Sequence, residues 1–215
     1  MSNIRLWISH NTGATIAVVL FLILYIFYSS LHPRGFTTDL FVQNSNEALA
    51  LIFVSMAQTM VVILGGIDLS VGSLMTLVNA AASELVIGSG WQIFFGMVLC
   101  LLLGLAGGLL NGLIIVYGRL QPIVVTLATG AVFTGCALLI RPTPGGEVDG
   151  DLSWVATNAP PELPATYGWW DGDPPGWFNL IAGIPMPIVI LLAVILLIWV
   201  PYRNSEIGRG SYAIG

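Results

Sequence analysis

The amino-acid sequence predicts an all-α fold, a polytopic bundle of transmembrane helices. Apolar residues make up 56% of the 215 positions and charged residues only 8%, whereas soluble proteins carry about 25% charged residues. Several apolar stretches reach the roughly 20 residues that a helix needs to cross a bilayer. None of them shows the strict polar–apolar alternation of a membrane β-barrel strand. Together these three observations favour helices that span a membrane.

The charge composition excludes most classes of soluble protein. Six arginines, no lysine and eleven carboxylates give a net charge of −5, and the mean hydropathy is +0.91. A soluble domain of this size needs far more charge on its surface. The composition therefore argues against a cytosolic enzyme, a nucleic-acid-binding protein, a disordered chain and a disulfide-rich secreted module. Cys100 and Cys136 fall inside apolar stretches, where they are expected to be free thiols.

Six stretches are predicted to cross the membrane, because each comes close to the length of a spanning helix. In chain order they are Ala14–Leu31, Glu47–Leu64, Ser70–Ile87, Trp91–Tyr117, Pro122–Ile140 and Gly183–Val200. The sequence GGIDLS at residues 65–70 interrupts the apolar pattern between the second and third stretches. Those two stretches could instead form one broken helix and a re-entrant segment. The first stretch lacks an A-x-A cleavage site, so we expect a retained helix rather than a signal peptide.

The distribution of arginine predicts the orientation, since cytoplasmic loops retain positive charge. Six crossings put both ends of the chain on one side, together with four of the six arginines: Arg5, Arg119, Arg203 and Arg209. Both ends are therefore expected in the cytoplasm. The loop at residues 142–180 is rich in Pro and Trp, lacks Lys and Arg, and is expected outside. We interpret it either as a cap at the membrane interface or as a docking surface for an extracytoplasmic partner.

Motifs for covalent chemistry are missing from the sequence. There is no H-E-x-x-H, G-x-S-x-G or Walker A pattern and no cluster of Cys and His. The chain is therefore expected to catalyse no reaction and to bind no metal or other cofactor. If it moves a solute uphill, another subunit or an ion gradient must supply the energy.

The segment GGIDLSVGS at residues 65–73 is the most informative part of the sequence. A carboxylate at the centre of a membrane helix costs roughly 2.5–3.5 kcal/mol, so Asp68 needs compensating interactions. Asp68 or Ser70 can cap the following helix by accepting hydrogen bonds from its free amides. Gly65 and Gly66 permit a sharp break. The segment is therefore either a structural turn with a helix cap or a break beside a solute pathway.

Further polar residues lie within the predicted spans. Asn79 and Ser83 are four residues apart and share one face of the third span, and the adjacent Glu84 can extend to the outer interface. Three threonines of the fifth span can bond back to helix carbonyls; they are Thr126, Thr129 and Thr134.

Asn111 lies in the fourth span, beside three glycines at four-residue spacing. Such spacing predicts a face for tight helix packing, formed here by Gly104, Gly108 and Gly112. Within that face the amide of Asn111 either bonds across to another helix or faces a polar pore.

Three motifs in this order resemble the permease subunit of ribose-type ATP-binding-cassette (ABC) sugar importers. They are GGIDLSVG at residues 65–72, NG at 111–112 followed by QPIVVTL at 121–127, and IGRGSYAIG at 207–215. Members of that family are longer and have roughly ten helices. The resemblance therefore implies one transmembrane permease domain over residues 1–215, a C-terminally truncated piece or a split subunit. Residues 201–215 would begin the cytoplasmic loop that contacts the ATPase.

The resemblance also implies a setting and a mechanism. The chain would be a multi-pass protein of the bacterial inner membrane that works by alternating access. Its implied partners are cytoplasmic ATPase subunits that use ATP and Mg²⁺, a periplasmic sugar-binding protein, a second permease subunit (identical or different) and the sugar itself, with no nucleic acid. Two interpretations from other classes stay open, namely a gradient-driven carrier or channel for a small polar solute and a structural subunit that transports nothing.

Two groups of functional residues are expected on this basis. The translocation pathway or broken-helix segment would contain Gly65, Gly66, Asp68, Ser70, Asn79, Asn111 and Thr126. The ATPase-coupling loop would contain Gly208, Arg209 and Tyr212.

Overall fold

The computed structural model describes residues 11–158 and 184–214, and every regular element in these ranges is a helix. Helices α1 to α5 are Thr12–Leu31, Thr38–Ile63, Val71–Leu85, Gly90–Gly118 and Pro122–Ile140. Three more helices follow, α6 at Gly150–Thr157, α7 at Met186–Asn204 with a π-helical turn at Ile195–Trp199, and α8 at Glu206–Ile214. The predicted all-α fold is confirmed for the described residues.

Among the described residues, five helices are long and apolar enough to span a membrane, namely α1, α2, α4, α5 and α7. The third predicted span, Ser70–Ile87, is wrong in length, because α3 has only 15 residues. That is about 22 Å of helix, against a hydrocarbon core of about 30 Å. Non-helical segments flank it, with Gly65 at φ 73° before it and Gly88 at φ 100° after it. α3 runs antiparallel to α4, because Ser70 before it contacts Asn111 near the end of α4 and Leu85 at its end lies against Gly96 near the start of α4. The number of crossings therefore stays a prediction.

The chain divides into two compact units, residues 1–45 and 46–215. In the first unit, α1 exposes nearly all of its apolar side chains, a surface suited to lipid. A guanidinium nitrogen of Arg34 donates a hydrogen bond to the side-chain oxygen of Gln43 at 3.4 Å.

The short helix α3 forms the core of the second unit. It packs against both α4 and α5. Leu77 of α3 is buried with Phe133 and Ala137 of α5. One turn further on, Ala81 is buried with Cys100 of α4. α3 thus packs between two helices that are long enough to span a membrane.

Glycines bring α4 into close contact with α3, but they are not the predicted ones. A Cβ atom added at Gly96 would collide with the Leu85 backbone, and one at Gly107 would lie 2.6 Å from a methyl of Leu74. The predicted packing face is not the one that meets α3: Gly104 barely touches α3, and Gly108 and Gly112 have open space beside them. Packing of that face against another helix stays a prediction. Consecutive helical residues point about 100° apart, so the contact made at position 107 excludes its neighbour at 108.

The first part of the predicted outer loop is fixed to the end of α3. The amide of Asp149 donates to the carbonyl of Val86 at 2.8 Å. The carboxylate of Asp149 caps α6 by accepting hydrogen bonds from the amides of Asp151 and Leu152. Residues 159–180 of the loop lie outside the described residues, so both interpretations of the loop stay predictions.

Candidate functional site

The candidate site is built around the break between α2 and α3. After Ile63 the chain makes a tight turn, in which the amide of Gly66 donates to the carbonyl of Val61 at 3.0 Å. Gly65 has a φ of 73°, which an L side chain adopts only with strain. The prediction that glycine permits a sharp break agrees with this geometry, because α2 ends at Ile63 and Gly65 adopts the left-handed conformation two residues later.

Asp68 stabilises the break through Ser70. Its Oδ1 atom accepts two hydrogen bonds, from the Ser70 amide at 2.7 Å and from the Ser70 hydroxyl at 2.6 Å. The predicted cap is therefore wrong in detail, because neither side chain accepts a hydrogen bond from an α3 amide. The carboxylate is instead satisfied by the residue that precedes α3. Hydrogen bonds to a charged acceptor are the stronger kind, and they offset part of the cost of a partly buried carboxylate.

Asn111 joins α4 to the break. Its Nδ2 atom donates to Ser70 Oγ at 2.7 Å, and the two residues are 4% and 0% exposed. Ser70 has a single hydroxyl proton, and that proton is donated to Asp68. The serine oxygen must therefore accept the bond from Asn111, which fixes the orientation of the amide. The result is a relay of hydrogen bonds that runs from Asn111 through Ser70 to Asp68.

Two more helices hold the backbone of the same segment. The amide of Leu69 donates to Thr126 Oγ1 on α5 at 3.1 Å, and the Thr126 hydroxyl bonds back to the Pro122 carbonyl at 2.9 Å. The side-chain amide of Gln58 on α2 donates to the carbonyl of Asp68 at 3.2 Å. Irregular backbone at membrane depth requires such partners, since lipid offers none.

Gln58 was missed by reasoning from sequence, although it is a polar residue inside an apolar span, a signal that is available in the sequence. Two buried acceptors in the network lack a hydrogen-bond partner, the Oε1 atom of Gln58 and the Oδ1 atom of Asn111. Such atoms carry a desolvation cost of about 1–3 kcal/mol each. They are the two positions in the network where a hydroxyl group or a water molecule would be favourable.

Asn79 does not join this network. It lies on the wall of a second feature, a cavity of about 1190 Å³ bounded by α3, α5, α6 and residues 142–149, which we call the outer cavity. Ser83 lies on the same wall, as its helical spacing from Asn79 predicts. The predicted site residues are thus divided. Asp68, Ser70, Asn111 and Thr126 are brought together, and Asn79 stands apart.

Arg141 lines the outer cavity and was not predicted as a site residue. One guanidinium nitrogen donates to Ser83 Oγ at 2.9 Å and to Glu84 Oε1 at 3.0 Å. Its Nε atom is buried without a partner. Glu84 therefore pairs with arginine rather than only extending to the interface. The sequence does contain a signal for this pair, because an anion lies at the end of the third predicted span and a cation directly follows the fifth.

The predicted coupling residues lie on α8, next to the end of α7. A Cβ atom at Gly208 would collide with the carbonyl of Tyr202, so the helix approaches the chain too closely for any side chain there. Arg209 donates to the carbonyl of Asn204 at 3.1 Å. Tyr212 is 48% exposed and available to another molecule. The hydroxyls of Tyr202 and Ser211 lie 3.1 Å apart and tie α8 to α7.

Within the described ranges, no three His, Cys, Asp or Glu side chains cluster as metal ligands would. The two features that the structure assembles are a network of hydrogen bonds and a polar cavity. The network can position the backbone of the break, and the cavity can offer hydrogen bonds to a polar molecule.

Comparison with known proteins agrees with the motifs in the sequence. The family described as branched-chain amino acid transport system / permease component matches residues 41–215. Two curated relatives, from Escherichia coli and Shigella flexneri, are each named Autoinducer 2 import system permease protein LsrD. Each is 29% identical to this chain over 192 residues, which cover 87% of this chain and 52% of the relative.

The chain thus spans about half the length of the curated relatives it matches. No solved structure matches it significantly. The predicted resemblance to ABC permeases is confirmed by the family match, which includes the break, Asn111, the outer cavity and α8. The chain belongs to the family of branched-chain amino acid transport system permease components.

Proposed function

We propose that this chain is all or part of a transmembrane permease subunit of an ABC importer that carries a sugar-type solute across the bacterial inner membrane. The observation that carries the proposal is the hydrogen-bonded break at residues 68–70, set among apolar helices in a chain of the permease family. The relatives named as autoinducer 2 import permeases support an import role. A pentose, a hexose and a polyol all fit the proposal.

In this proposal the chain performs no covalent chemistry and binds no cofactor. Cytoplasmic ATPase subunits use ATP and Mg²⁺, a periplasmic binding protein delivers the solute, and a second permease subunit completes the pathway. Both ends of the chain face the cytoplasm. α8, with Gly208, Arg209 and Tyr212, then lies on the side of the ATPase, where the exposed Tyr212 ring is available for contact.

The break network gives alternating access a physical basis. Transport by this mechanism needs an element with two arrangements that the partner subunits can bias. Residues 68–70 are held at once by α2, α4 and α5, so movement of any of these helices changes the hydrogen bonds at the break. The unpaired acceptors of Gln58 and Asn111 can receive hydrogen bonds from hydroxyl groups when the arrangement changes. Gly65 and Gly66 supply the turn that makes the break possible.

The proposal is tested by uptake into proteoliposomes that contain the permease, the ATPase and the binding protein encoded with it. Labelled D-ribose, D-xylose, D-glucose and ribitol form the panel. We expect at least one of them to accumulate when ATP is supplied, and accumulation to cease when the Walker A lysine of the ATPase is replaced. Uptake that persists without the ATPase would identify a gradient-driven carrier instead. Failure of the ATPase to bind would also contradict the proposal.

A further inference from the structure

The outer cavity is a built polar space that the helix break does not use. Its volume of about 1190 Å³ slightly exceeds that of typical small-molecule sites, about 300–1000 Å³, so it admits a monosaccharide together with some water. Its wall offers hydroxyl, amide and guanidinium groups, from Thr76, Asn79, Ser83, Thr134, Arg141 and Ser153. Trp154 adds an aromatic ring to the same wall.

Arg141 is the group in the cavity with unused capacity to bind. Its guanidinium carries five N–H donors, and the two bonds that are formed, to Ser83 and Glu84, both use one terminal nitrogen. The buried Nε atom has no partner at all. The second terminal nitrogen forms no hydrogen bond to the described residues and is not buried, so its two N–H donors can bind an acceptor on a bound molecule.

The charges around the cavity decide which class of molecule fits. Arg141 is opposed by Glu84, its ion-pair partner, and Glu147 lies on the cavity wall. The formal charges of these three side chains sum to −1, so an anionic solute would meet net electrostatic repulsion. A neutral molecule with several hydroxyl groups meets no such penalty, because hydroxyls can donate to a carboxylate and accept from a guanidinium.

We propose that the outer cavity is a binding site for a neutral polyhydroxylated solute, with Arg141 as its anchoring hydrogen-bond donor and the Trp154 ring as an apolar wall. The assignment rests on the proposed function only for its setting, since it makes the cavity a first station for the transported solute. Binding here requires neither ATP nor the partner subunits.

The test measures protection of a thiol placed in the cavity, with the protein in lipid nanodiscs and without ATP. Ser153→Cys puts the thiol on the cavity wall, and Asp151→Cys puts a control thiol on the same helix outside it. Labelling by a maleimide is read by peptide mass spectrometry, which separates these sites from Cys100 and Cys136. At about 10 mM D-ribose, D-xylose, D-glucose or ribitol, a Kd of about 1 mM predicts labelling about tenfold slower at position 153 and unchanged at position 151.

Two variants separate binding by Arg141 from a merely structural role. Arg141→Gln removes the anchoring donor and is expected to abolish protection. Glu84→Gln breaks the ion pair but keeps the guanidinium, so protection by the neutral solutes is expected to remain. Both variants must elute as the unmodified protein does in size-exclusion chromatography. Equal loss of protection in the two variants would show that Arg141 acts only as a tie between α3 and α5, and would overturn its assignment as the anchor.

The remaining outcomes also decide the question. Protection by ribose 5-phosphate in place of the neutral compounds would overturn the proposed solute class. No protection by any compound of the panel, in a protein that supports ATP-dependent uptake of one of them, would overturn the cavity assignment and leave the proposed function standing. Protection without ATP-dependent uptake would support the cavity site and contradict the importer.

Discussion

The side-chain nitrogen of Asn111 lies 2.7 Å from the hydroxyl oxygen of Ser70, across 41 positions of the sequence. Ser70 in turn donates its proton to Asp68, so the three side chains form one continuous relay. Hydrogen bonds in a chain polarise and strengthen one another, above all where a charged group ends the chain. The position of α4 is thereby linked energetically to the carboxylate at the break.

This link predicts a measurable coupling between Asn111 and Ser70. In a double-mutant cycle with Asn111→Ala and Ser70→Ala, the two changes are expected to be non-additive in the free energy of unfolding in detergent micelles. Interhelical hydrogen bonds in membrane proteins average about 0.6 kcal/mol and reach about 1.7 kcal/mol, and the charged end of this relay favours the upper part of that range. A cycle with Asn111→Ala and Ser89→Ala, at the N-cap of the same helix and 22 residues before Asn111, serves as the control. Additive effects in the first cycle would contradict the relay.

Asp68 is expected to matter more than Glu84. Asp68→Ala leaves the amide and hydroxyl of Ser70 without their acceptor, at a cost of about 1–3 kcal/mol for each buried group. Glu84→Ala removes a 3.0 Å ion pair whose carboxylate is 54% exposed, and such pairs contribute about 0–1 kcal/mol. Thermal unfolding and ATP-dependent uptake, measured at matched membrane levels, check this order. Equal behaviour of the two variants would remove the special role of Asp68.

Gly96 and Gly108 form a matched pair for testing the packing of α4. Gly96→Ala places a methyl group against the Leu85 backbone and is expected to destabilise the protein by about 1–3 kcal/mol. Gly108→Ala meets open space and is expected to be neutral or to stabilise the helix by up to about 1 kcal/mol. The midpoints of thermal unfolding distinguish the two outcomes. Destabilisation by Gly108→Ala alone would instead support packing through the glycine face predicted from the sequence.

The sequence was sufficient to predict the helical bundle and the position of the break, and it singled out Asp68, Ser70, Asn111 and Thr126 without predicting which of them bond to one another. Hydropathy identifies the long helices because lipid requires apolar side chains along the whole span. Asp68 and Asn111 stand out because polar side chains are rare there. Which face of α4 turns inward is a different kind of fact, since glycines at positions 107 and 108 are equivalent until α3 is packed against one of them.

The outer cavity shows why the pairing of Arg141 with Glu84 escaped prediction. The two residues are 57 positions apart, and only the docking of α3 against α5 brings the ends of those helices together. Hydropathy alone also overestimates the length of α3. Hydropathy continues through Val86 and Ile87, whereas the helix itself ends at Leu85 before the glycine turn.

Orientation is predicted by the arginine distribution and can be measured directly. Reporter fusions after Arg119 and after Arg203 are expected to give cytoplasmic signals, and a fusion at Asp151 a periplasmic signal. A fusion after Arg34, also expected to give a periplasmic signal, tests the crossing at α3, because without that crossing Arg34 and Asp151 would lie on opposite sides. A cytoplasmic signal at Asp151 would be incompatible with the proposed topology and with access to the outer cavity from outside.

Gly208 and Gly210 provide the corresponding test for the segment that is proposed to contact the ATPase. Both lie on α8, so changing either to alanine raises helix propensity by a similar amount. Only the methyl group at position 208 would collide with the Tyr202 carbonyl; a Cβ atom at position 210 has open space. Gly208→Ala is therefore expected to push α8 away from α7 and to strain the contact between the hydroxyls of Tyr202 and Ser211.

The readout for this pair is the stimulation of ATP hydrolysis by the solute-loaded binding protein in the assembled transporter. Overpacking of about 1–3 kcal/mol at position 208 predicts a loss of stimulation of about tenfold, with basal hydrolysis unchanged because the ATPase itself is intact. Gly210→Ala is expected to retain stimulation close to that of the unmodified protein. If both variants couple normally, α8 is not held by its approach to Tyr202 during transport. If both uncouple, the helix responds to propensity rather than to the collision. A loss confined to Gly208→Ala ties coupling to the close packing of α8 on the end of α7.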